Sequence, residues 1–277
     1  MYVIVGNGYV GSALAAAAGT RLPHLIIDPK YPHCVTWDEI ALRHEAAILK
    51  ENVAGVIVCV STPSTLDGGC DVSNVRDVLG RVAQLTPSIP VLIKSTVSLE
   101  GWDSLRERFP QLSLTYSPEF LKADTAADDF ANQDFVIVGG DDVDFWGSYF
   151  TAILSSVDIH ICTAKEAILI KYASNCFLSV KVSFFNQIYD LCRLQGLDFE
   201  TVRTLLTLRS DIGENHTRVT SQRGWGGACF PKDTIAMLQT CARLDYDFTT
   251  LHAAVKYNWS IREGIMDVKD APAEFSL

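Results

Sequence analysis

Gly226-Gly227-Ala228-Cys229-Phe230-Pro231-Lys232-Asp233 sets one cysteine after two glycines and ahead of a lysine and an aspartate. The glycines let backbone N–H groups come close to a bound group. A helix is expected over residues 233–244 with Asp233 as its cap, and a helix start carries partial positive charge. A thiol held at that end beside Lys232 makes a better nucleophile. These types at this spacing point to covalent thiol chemistry with Cys229 as the attacking group.

The start of the chain adds a second chemistry. Gly6-Asn7-Gly8-Tyr9-Val10-Gly11 follows the apolar run 2–5 and opens a helix, the context that a G-x-G-x-x-G turn requires. Gly6 makes the tight turn, Gly8 admits a pyrophosphate, and Gly11 lets helix and strand pack closely. The phosphates then rest on the helix start, where Tyr9 and Val10 lie. Asp28 closes the second apolar run, where a carboxylate accepts from a ribose 2′-OH and repels a 2′-phosphate. NAD is therefore expected rather than NADP, and hydride transfer is joined to the thiol chemistry.

Further candidates stand where apolar runs end. Thr62-Pro63 follows the run 56–60, Thr96 follows 91–93, and Ser117-Pro118-Glu119-Phe120 follows 112–116. In an open parallel sheet such ends line the ligand crevice. Each threonine also reads as a helix cap, and Glu119 as a first-turn helix residue. Lys171 and Asn175, at i and i+4, share one face of a long helical segment. A solvated surface is the plain alternative, but Ile168, Leu169, Ile170, Phe177 and Leu178 around them predict burial, and a buried lysine needs a partner or a task. Arg218, Arg223 and Lys232 supply local positive charge for an anionic substrate. The six histidines lack metal-ligand spacing, so no metal is assigned.

The elements that must hold these residues follow from the pattern. With 277 residues the chain has room for two domains. A net charge of −10 argues against nonspecific nucleic-acid binding and against an anionic membrane surface. No apolar run approaches a membrane span and no signal peptide is visible, so a cytoplasmic protein is expected. Eight cysteines without a C-x-x-C pair read as reduced thiols, most of them small buried groups. Apolar runs at 2–5, 25–27, 56–60, 91–93, 112–116, 135–138 and 158–162 alternate with helical stretches such as 10–18, 72–85 and 144–155. After Thr163 the pattern is helical: 164–194, 198–208, 233–244 and 249–266, with a frayed tail from about Asp270. The expected fold is α/β, a Rossmann-type doubly wound parallel sheet in residues 1–163, followed by an all-α domain in 164–277 with a long central helix and Cys229. The 164–194 helix carries more apolar surface than one small domain covers, so a homodimer contact is expected there.

In chain order, Gly6-x-Gly8-x-x-Gly11, Asp28, Thr62-Pro63, Asp67-Gly68, Ser95-Thr96-Val97, Ser117-Pro118-Glu119-Phe120-Leu121, Lys171-x-x-x-Asn175 and Gly226-Gly227-x-Cys229-x-Pro231-Lys232-Asp233 resemble the UDP-glucose/GDP-mannose dehydrogenase family. The resemblance covers nearly the whole chain. It implies oxidation of a nucleotide-sugar primary alcohol at C6 to the carboxylate, with two NAD per turn. Cys229 would form a thiohemiacetal and then a thioester. Glu119 would serve as base for water placed by Thr96 and Asp233, and Lys171 and Asn175 would stabilise the oxyanion. The glycine loop (Gly226, Gly227), Arg223, Phe120 and Leu121 would hold the nucleotide sugar, and Lys232 would reach the cofactor. The family dimer through the long helix is implied as well. UDP-glucose is the first expectation; UDP-N-acetylmannosamine and GDP-mannose are not separated from it by the motifs.

Three departures stand out. Ala123 replaces the second glutamate of the family's Pro-Glu-Phe-Leu-x-Glu-Gly, which leaves its water-positioning role absent or moved to Asp124. Asp211-Ile212-Gly213 replaces Arg-Ile-Gly. Family members continue into a third domain that closes over the nucleotide, and this sequence stops at Leu277. Two other readings compete. A β-hydroxyacid dehydrogenase shares the layout and the Lys-x-x-x-Asn pair but needs no thiol. A degenerate NAD-binding module would bind cofactor without turnover.

Overall fold

The computed structural model of the chain describes residues 1–37, 39, 53–65, 68–85 and 88–262. The chain divides into two compact units. The first takes Met1–Pro63 and Cys70–Lys171; the second takes Ser64–Gly69 and the chain from Tyr172 onward.

Continuous apolar runs make the first unit a sheet protein, because strands buried on both faces need no alternation. Its strands are β1 (Tyr2–Val5), β2 (His24–Ile27), β3 (Gly55–Val58), β4 (Val91–Ile93), β5 (Leu114–Tyr116), β6 (Phe135–Gly140) and β7 (Asp158–Cys162), in the order β2-β1-β3-β4-β5-β6-β7. Helices α1 (Tyr9–Ala18), α2 (Ser73–Leu85), α3 (Leu99–Arg108), α4 (Ala126–Ala131) and α5 (Val143–Ile153) connect them. Ala13 and Leu14 of α1 and Trp146, Tyr149 and Phe150 of α5 share one buried cluster with Ile4, Ile57 and Leu92. The doubly wound architecture is the expected one.

One local expectation is corrected. The sheet is not wholly parallel, since β5 and β6 pair antiparallel through Thr115↔Gly140 and Tyr116↔Gly139. The connection between them holds one two-turn helix, α4, which spans only about 9 Å and returns β6 from the end where β5 finishes. A Cβ on Gly140 (φ +132) would stand 2.4 Å from the Leu114 carbonyl oxygen, so glycine permits this close pairing. Helices α3 and α4 add to the helical stretches expected between the apolar runs. Charged residues dominate α3, and its start is marked by Ser98, whose side chain accepts from the Gly101 N–H at 3.0 Å.

Among the described residues four helices follow: α6 (Ala164–Gln195), which begins in the first unit and continues into the second, then α7 (Phe199–Leu206), α8 (Phe230–Arg243) and α9 (Thr249–Ile261). The expected continuation of α9 to residue 266 and the tail from Asp270 lie outside the described residues, as does Asp67. Phe185 and Cys192 of α6 pack on Phe199 of α7. On length and composition alone, α6 is apolar and long enough to cross a membrane, which corrects the expectation that no segment is. Its polar residues argue for a core helix. Lys171, Asn175, Ser179 and Ser183 recur every fourth position, and all are buried, as is Asn186. They share the buried side with Ala167, Ile168, Tyr172, Cys176, Val182 and Phe185, while Ile170, Phe177, Phe184 and Leu191 are exposed, so apolar residues stand on both sides of the helix.

Candidate active site

The glycine turn is shaped for a ligand at one position and for the protein at two. Gly6 has φ +101, and a Cβ there would stand 2.5 Å from the Cys59 carbonyl oxygen; at Gly11 it would stand 1.9 Å from that of Gly6. A Cβ on Gly8 would meet nothing within 4 Å. Gly8 is the N-cap of α1 and lends no side chain to the first-turn N–H groups around Tyr9 and Val10. The turn therefore leaves a helix start open toward the switch point between β1 and β3, where the strand order reverses. Asp28 follows β2, and its carboxylate accepts from the N–H groups of Asn7 at 2.7 Å and Lys30 at 2.8 Å. That fixes an acceptor beside the turn and leaves lone pairs for ribose hydroxyls. The residues present fit a dinucleotide.

Strand ends supply the next group. Thr62 is buried and Pro63 exposed after β3, and the Pro63 carbonyl accepts from the Asp71 N–H at 2.9 Å. Thr96 follows β4, and its carbonyl accepts from the Cys70 thiol at 3.4 Å. After β5, Glu119 is buried and bonded on both oxygens: Oε1 accepts from Lys171 Nζ at 2.9 Å and Oε2 from the Leu121 N–H at 2.8 Å. Lys171 also donates to the Glu119 carbonyl at 2.6 Å and stands 5.7 Å over the Phe120 ring. Both side chains of this ion pair are 5% exposed. The lysine that needed a partner has one. Asp124, beside Ala123 in the 3₁₀ turn Ala123–Thr125, is exposed.

The sequence reading missed Lys94. It directly follows β4, is 3% exposed, and donates to the Pro118 carbonyl at 2.8 Å and Ser117 Oγ at 3.2 Å. Burial lowers its pKa to about 8, against the attraction of Cys59 and Glu119 and with the repulsion of Lys171. Burial pushes the neighbouring Cys59 thiol up to about 12, with Lys94 opposing and Glu119 adding. The available signal was a lysine placed at the carboxyl end of an apolar strand, in line with the other crevice positions.

In the second unit, Cys229 is itself the N-cap of α8, with Pro231 in the first turn. The expected start at Asp233 is corrected: proline is tolerated at the first helical positions because its missing N–H is unpaired there anyway. Asp233 lies one turn in, 1% exposed, and does not cap. Its Oδ2 accepts from Asn175 Nδ2 at 2.5 Å and its Oδ1 from Lys232 Nζ at 2.8 Å. No disulfide joins any of the eight cysteines.

The loop ahead of Cys229 is held on α9 and α6. The Trp225 N–H donates to Asn258 Oδ1 at 2.7 Å, and Asn258 Nδ2 returns a bond to the Trp225 carbonyl at 3.0 Å. Gly226 faces the Arg262 guanidinium, where a Cβ would stand 2.7 Å from Nη2. Gly227 has φ +79 and open space around it. Arg223 is engaged by protein: Nε donates to Asn186 Oδ1 at 2.9 Å, Nη2 to Asp190 Oδ1 at 2.7 Å, and the guanidinium lies 4.7 Å over the Tyr189 ring. Asp211 pairs with Arg209 on the surface at 2.7 Å, and Arg218 pairs with Glu214 at 2.8 Å. Glu119 and Lys171 thus meet within the first unit, and Asn175, Lys232 and Asp233 meet within the second.

A glycine turn at the switch point of a doubly wound sheet, followed by helices with a cysteine at one helix start, defines a dinucleotide-binding α/β protein. Comparison with known proteins narrows this. Residues 34–152 match the NAD binding domain of the UDP-glucose/GDP-mannose dehydrogenase family, and residues 165–260 match that family's central domain. The chain belongs to this family, and NAD is its cofactor. It is 33% identical to a UDP-glucose 6-dehydrogenase of Pseudomonas aeruginosa, over 73% of this chain and 48% of that one. It is 29% identical to the UDP-glucose 6-dehydrogenase AglM of Haloferax volcanii, over 96% and 71%. The chain spans about half the length of the bacterial relatives it matches. Among solved structures, a UDP-glucose dehydrogenase from Pyrobaculum islandicum superposes with a TM-score of 0.75 at 26% identity, over 94% of this chain and 68% of that one. A GDP-mannose dehydrogenase from Pseudomonas aeruginosa shares the fold with a TM-score of 0.63 at 20% identity, over 94% and 68%.

Proposed function

We propose that this chain oxidises the C6 primary alcohol of a nucleotide sugar, UDP-glucose, to the carboxylate. The observation that carries the reading is Cys229 at the start of α8, one turn ahead of an aspartate that gathers Asn175 and Lys232. A single hydride transfer needs no such thiol.

The 6–11 turn, Asp28, Thr62, Pro63 and Lys232 would hold NAD, and two NAD molecules in succession would supply the oxidant, each taking one of the two hydrides that this oxidation releases. Cys229 acts between them. Its sulfur bonds to C6 of the half-oxidised sugar while its proton passes to the former aldehyde oxygen. The second oxidation leaves a thioester. Water attacks that carbon, the C–S bond breaks, and sulfur recovers a proton as the acid leaves. Glu119 keeps a lone pair on each bonded carboxylate oxygen and takes the water's proton, with Thr96 and Asp233 orienting the water. Two of the three Lys171 N–H groups go to Glu119. The third, with Asn175, stabilises the oxyanion. Phe120, Leu121, Gly226, Gly227 and Arg223 border the sugar nucleotide.

The exposed apolar row on α6 supports a homodimer contact. Ile170, Phe177, Phe184 and Leu191 recur at every seventh residue, the spacing of a helix seam that seeks a partner. Light scattering at micromolar concentration tests it, and a monomer counts against it. The reaction is tested by incubating the chain with a panel of nucleotide sugars and excess NAD. Two NADH per sugar consumed, fastest with UDP-glucose, is expected; one NADH per sugar sinks the proposal.

A further inference from the structure

Lys94 does nothing in the reaction just described, yet it is the most deeply buried cation of the first unit's cluster. Burying an ammonium is costly unless its donors are satisfied. Here two of its three donors go to the backbone and hydroxyl of one turn: the Pro118 carbonyl at 2.8 Å and Ser117 Oγ at 3.2 Å. That turn leads directly into Glu119. The other end of the turn is closed by Glu119 itself, which accepts from the Leu121 N–H. A buried lysine is therefore tied to the two residues that precede the carboxylate.

We propose that Lys94 is a positioning residue: by holding Ser117 and Pro118 it sets the place and orientation of the Glu119–Lys171 pair. The groups that face it come from every neighbouring element. Cys59 stands after β3, Glu119 after β5 and Lys171 on α6, while the Phe150 ring of α5 lies 5.4 Å from the ammonium. Its own charge is poised to change near pH 8. The role of the pair in turnover rests on the proposed function; the placement of the turn does not, so the two are tested separately.

The experiment compares the wild-type chain with Lys94→Met, Lys94→Arg and Ser117→Ala. Hydrogen–deuterium exchange by mass spectrometry reads the 117–121 segment, and NADH release from UDP-glucose reads turnover across pH 6–10. The expected result is exchange in 117–121 faster by about tenfold or more in Lys94→Met and Ser117→Ala, with the peptides of β1 and α1 unchanged. In turnover, kcat falls about tenfold or more with the KM for NAD unchanged, because small displacements of a reacting group are costly. The wild-type kcat profile bends near pH 8, the bend is missing in Lys94→Met, and Lys94→Arg recovers part of the rate. Should Lys94→Met not fold, Ser117→Ala carries the exchange test alone. Wild-type exchange in 117–121 in the folded variants overturns the inference whatever turnover does. A wild-type chain without turnover sinks the proposed function and leaves exchange to decide this one.

Discussion

In the first unit two ammonium groups, Lys94 and Lys171, surround one carboxylate, Glu119. In the second, one carboxylate, Asp233, binds one neutral amide, Asn175, and one ammonium, Lys232. Both clusters are buried, but they differ in charge and in sealing. The first has excess positive charge, and the side chains of its ion pair are 5% exposed. The second sums to neutral, and its lysine side chain is 17% exposed. A surplus of cations suits a place where negative charge develops. A neutralised carboxylate suits the neighbourhood of a thiol, since a bare aspartate one turn away would repel the thiolate. Under the proposed function, the contrast would give the first cluster the larger share of charge stabilisation and let the second support the thiol alongside Asn175's part at the oxyanion.

The largest break in this contrast comes from Cys229→Ser. Serine is a good N-cap, so the fold should hold, while loss of the nucleophile should cut kcat for carboxylate formation on the order of 10³-fold or more. NADH release under saturating UDP-glucose measures it. Wild-type rates in this variant would remove the thiol from the reaction and leave the second cluster without a role.

Next in size is Lys171→Met. It strands Glu119 as a buried unpaired carboxylate, and breaking such a pair costs roughly 3–5 kcal/mol. Urea melts of the variant, and of the double variant Lys171→Met with Glu119→Leu, separate the pair from its desolvation. The double variant should regain most of the loss. If it is no more stable than the single one, the pair is not what the lysine was stabilising.

What was legible in the sequence follows the range of the forces involved. The glycine turn is local: Gly6 and Gly11 are needed because backbone within a few residues or on the adjacent strand closes on them, and the pattern announces this. The strands were legible because β1, β3 and β4 are continuous apolar runs. The direction of β6 was not, since a strand's composition does not record which way it pairs. The start of α8 was placed too late because Pro231 reads as a break when its position inside the helix is unknown. Lys94 was passed over for a related reason. Ahead of it lies Val91-Leu92-Ile93, after it Ser95, and nothing in that string shows that Ser117, Pro118 and Phe150 close around its head. The mixed burial of α6 was half visible, in that a buried lysine was expected, but the exposure of Ile170, Phe177, Phe184 and Leu191 is settled only by packing.

A smaller effect sharpens the account of the first cluster. Lys94 has a folded pKa of about 8 against an ordinary 10.5. Below pH 8 the lysine is charged in both folded and unfolded chains, and the folded state bears the full cost of burying it. Between 8 and 10.5 the unfolded chain binds more protons than the folded one, so stability rises with pH across that window. The rise belongs to Lys94 and is absent from Lys94→Met. Unfolding free energies of the two proteins should therefore diverge by something on the order of 2 kcal/mol between pH 7.5 and 10.5, with the wild type gaining. Parallel curves would mean that the ammonium is better solvated than its burial indicates.

The smallest predicted effect tests the contrast itself. Asp233→Asn keeps the size of the side chain and one acceptor for Asn175, but it ends the attraction to Lys232 and turns an amide toward the ammonium. Because Lys232 is not fully sealed, it can swing to water, and the loss should be about 1 kcal/mol, nearer to an ordinary hydrogen bond than to a buried ion pair. A cycle with Lys232→Met isolates the coupling between the two. A loss as large as that of Lys171→Met would mean that the second cluster is as tightly closed as the first. The difference in sealing would then carry no meaning, and the division of labour would have to rest on charge alone.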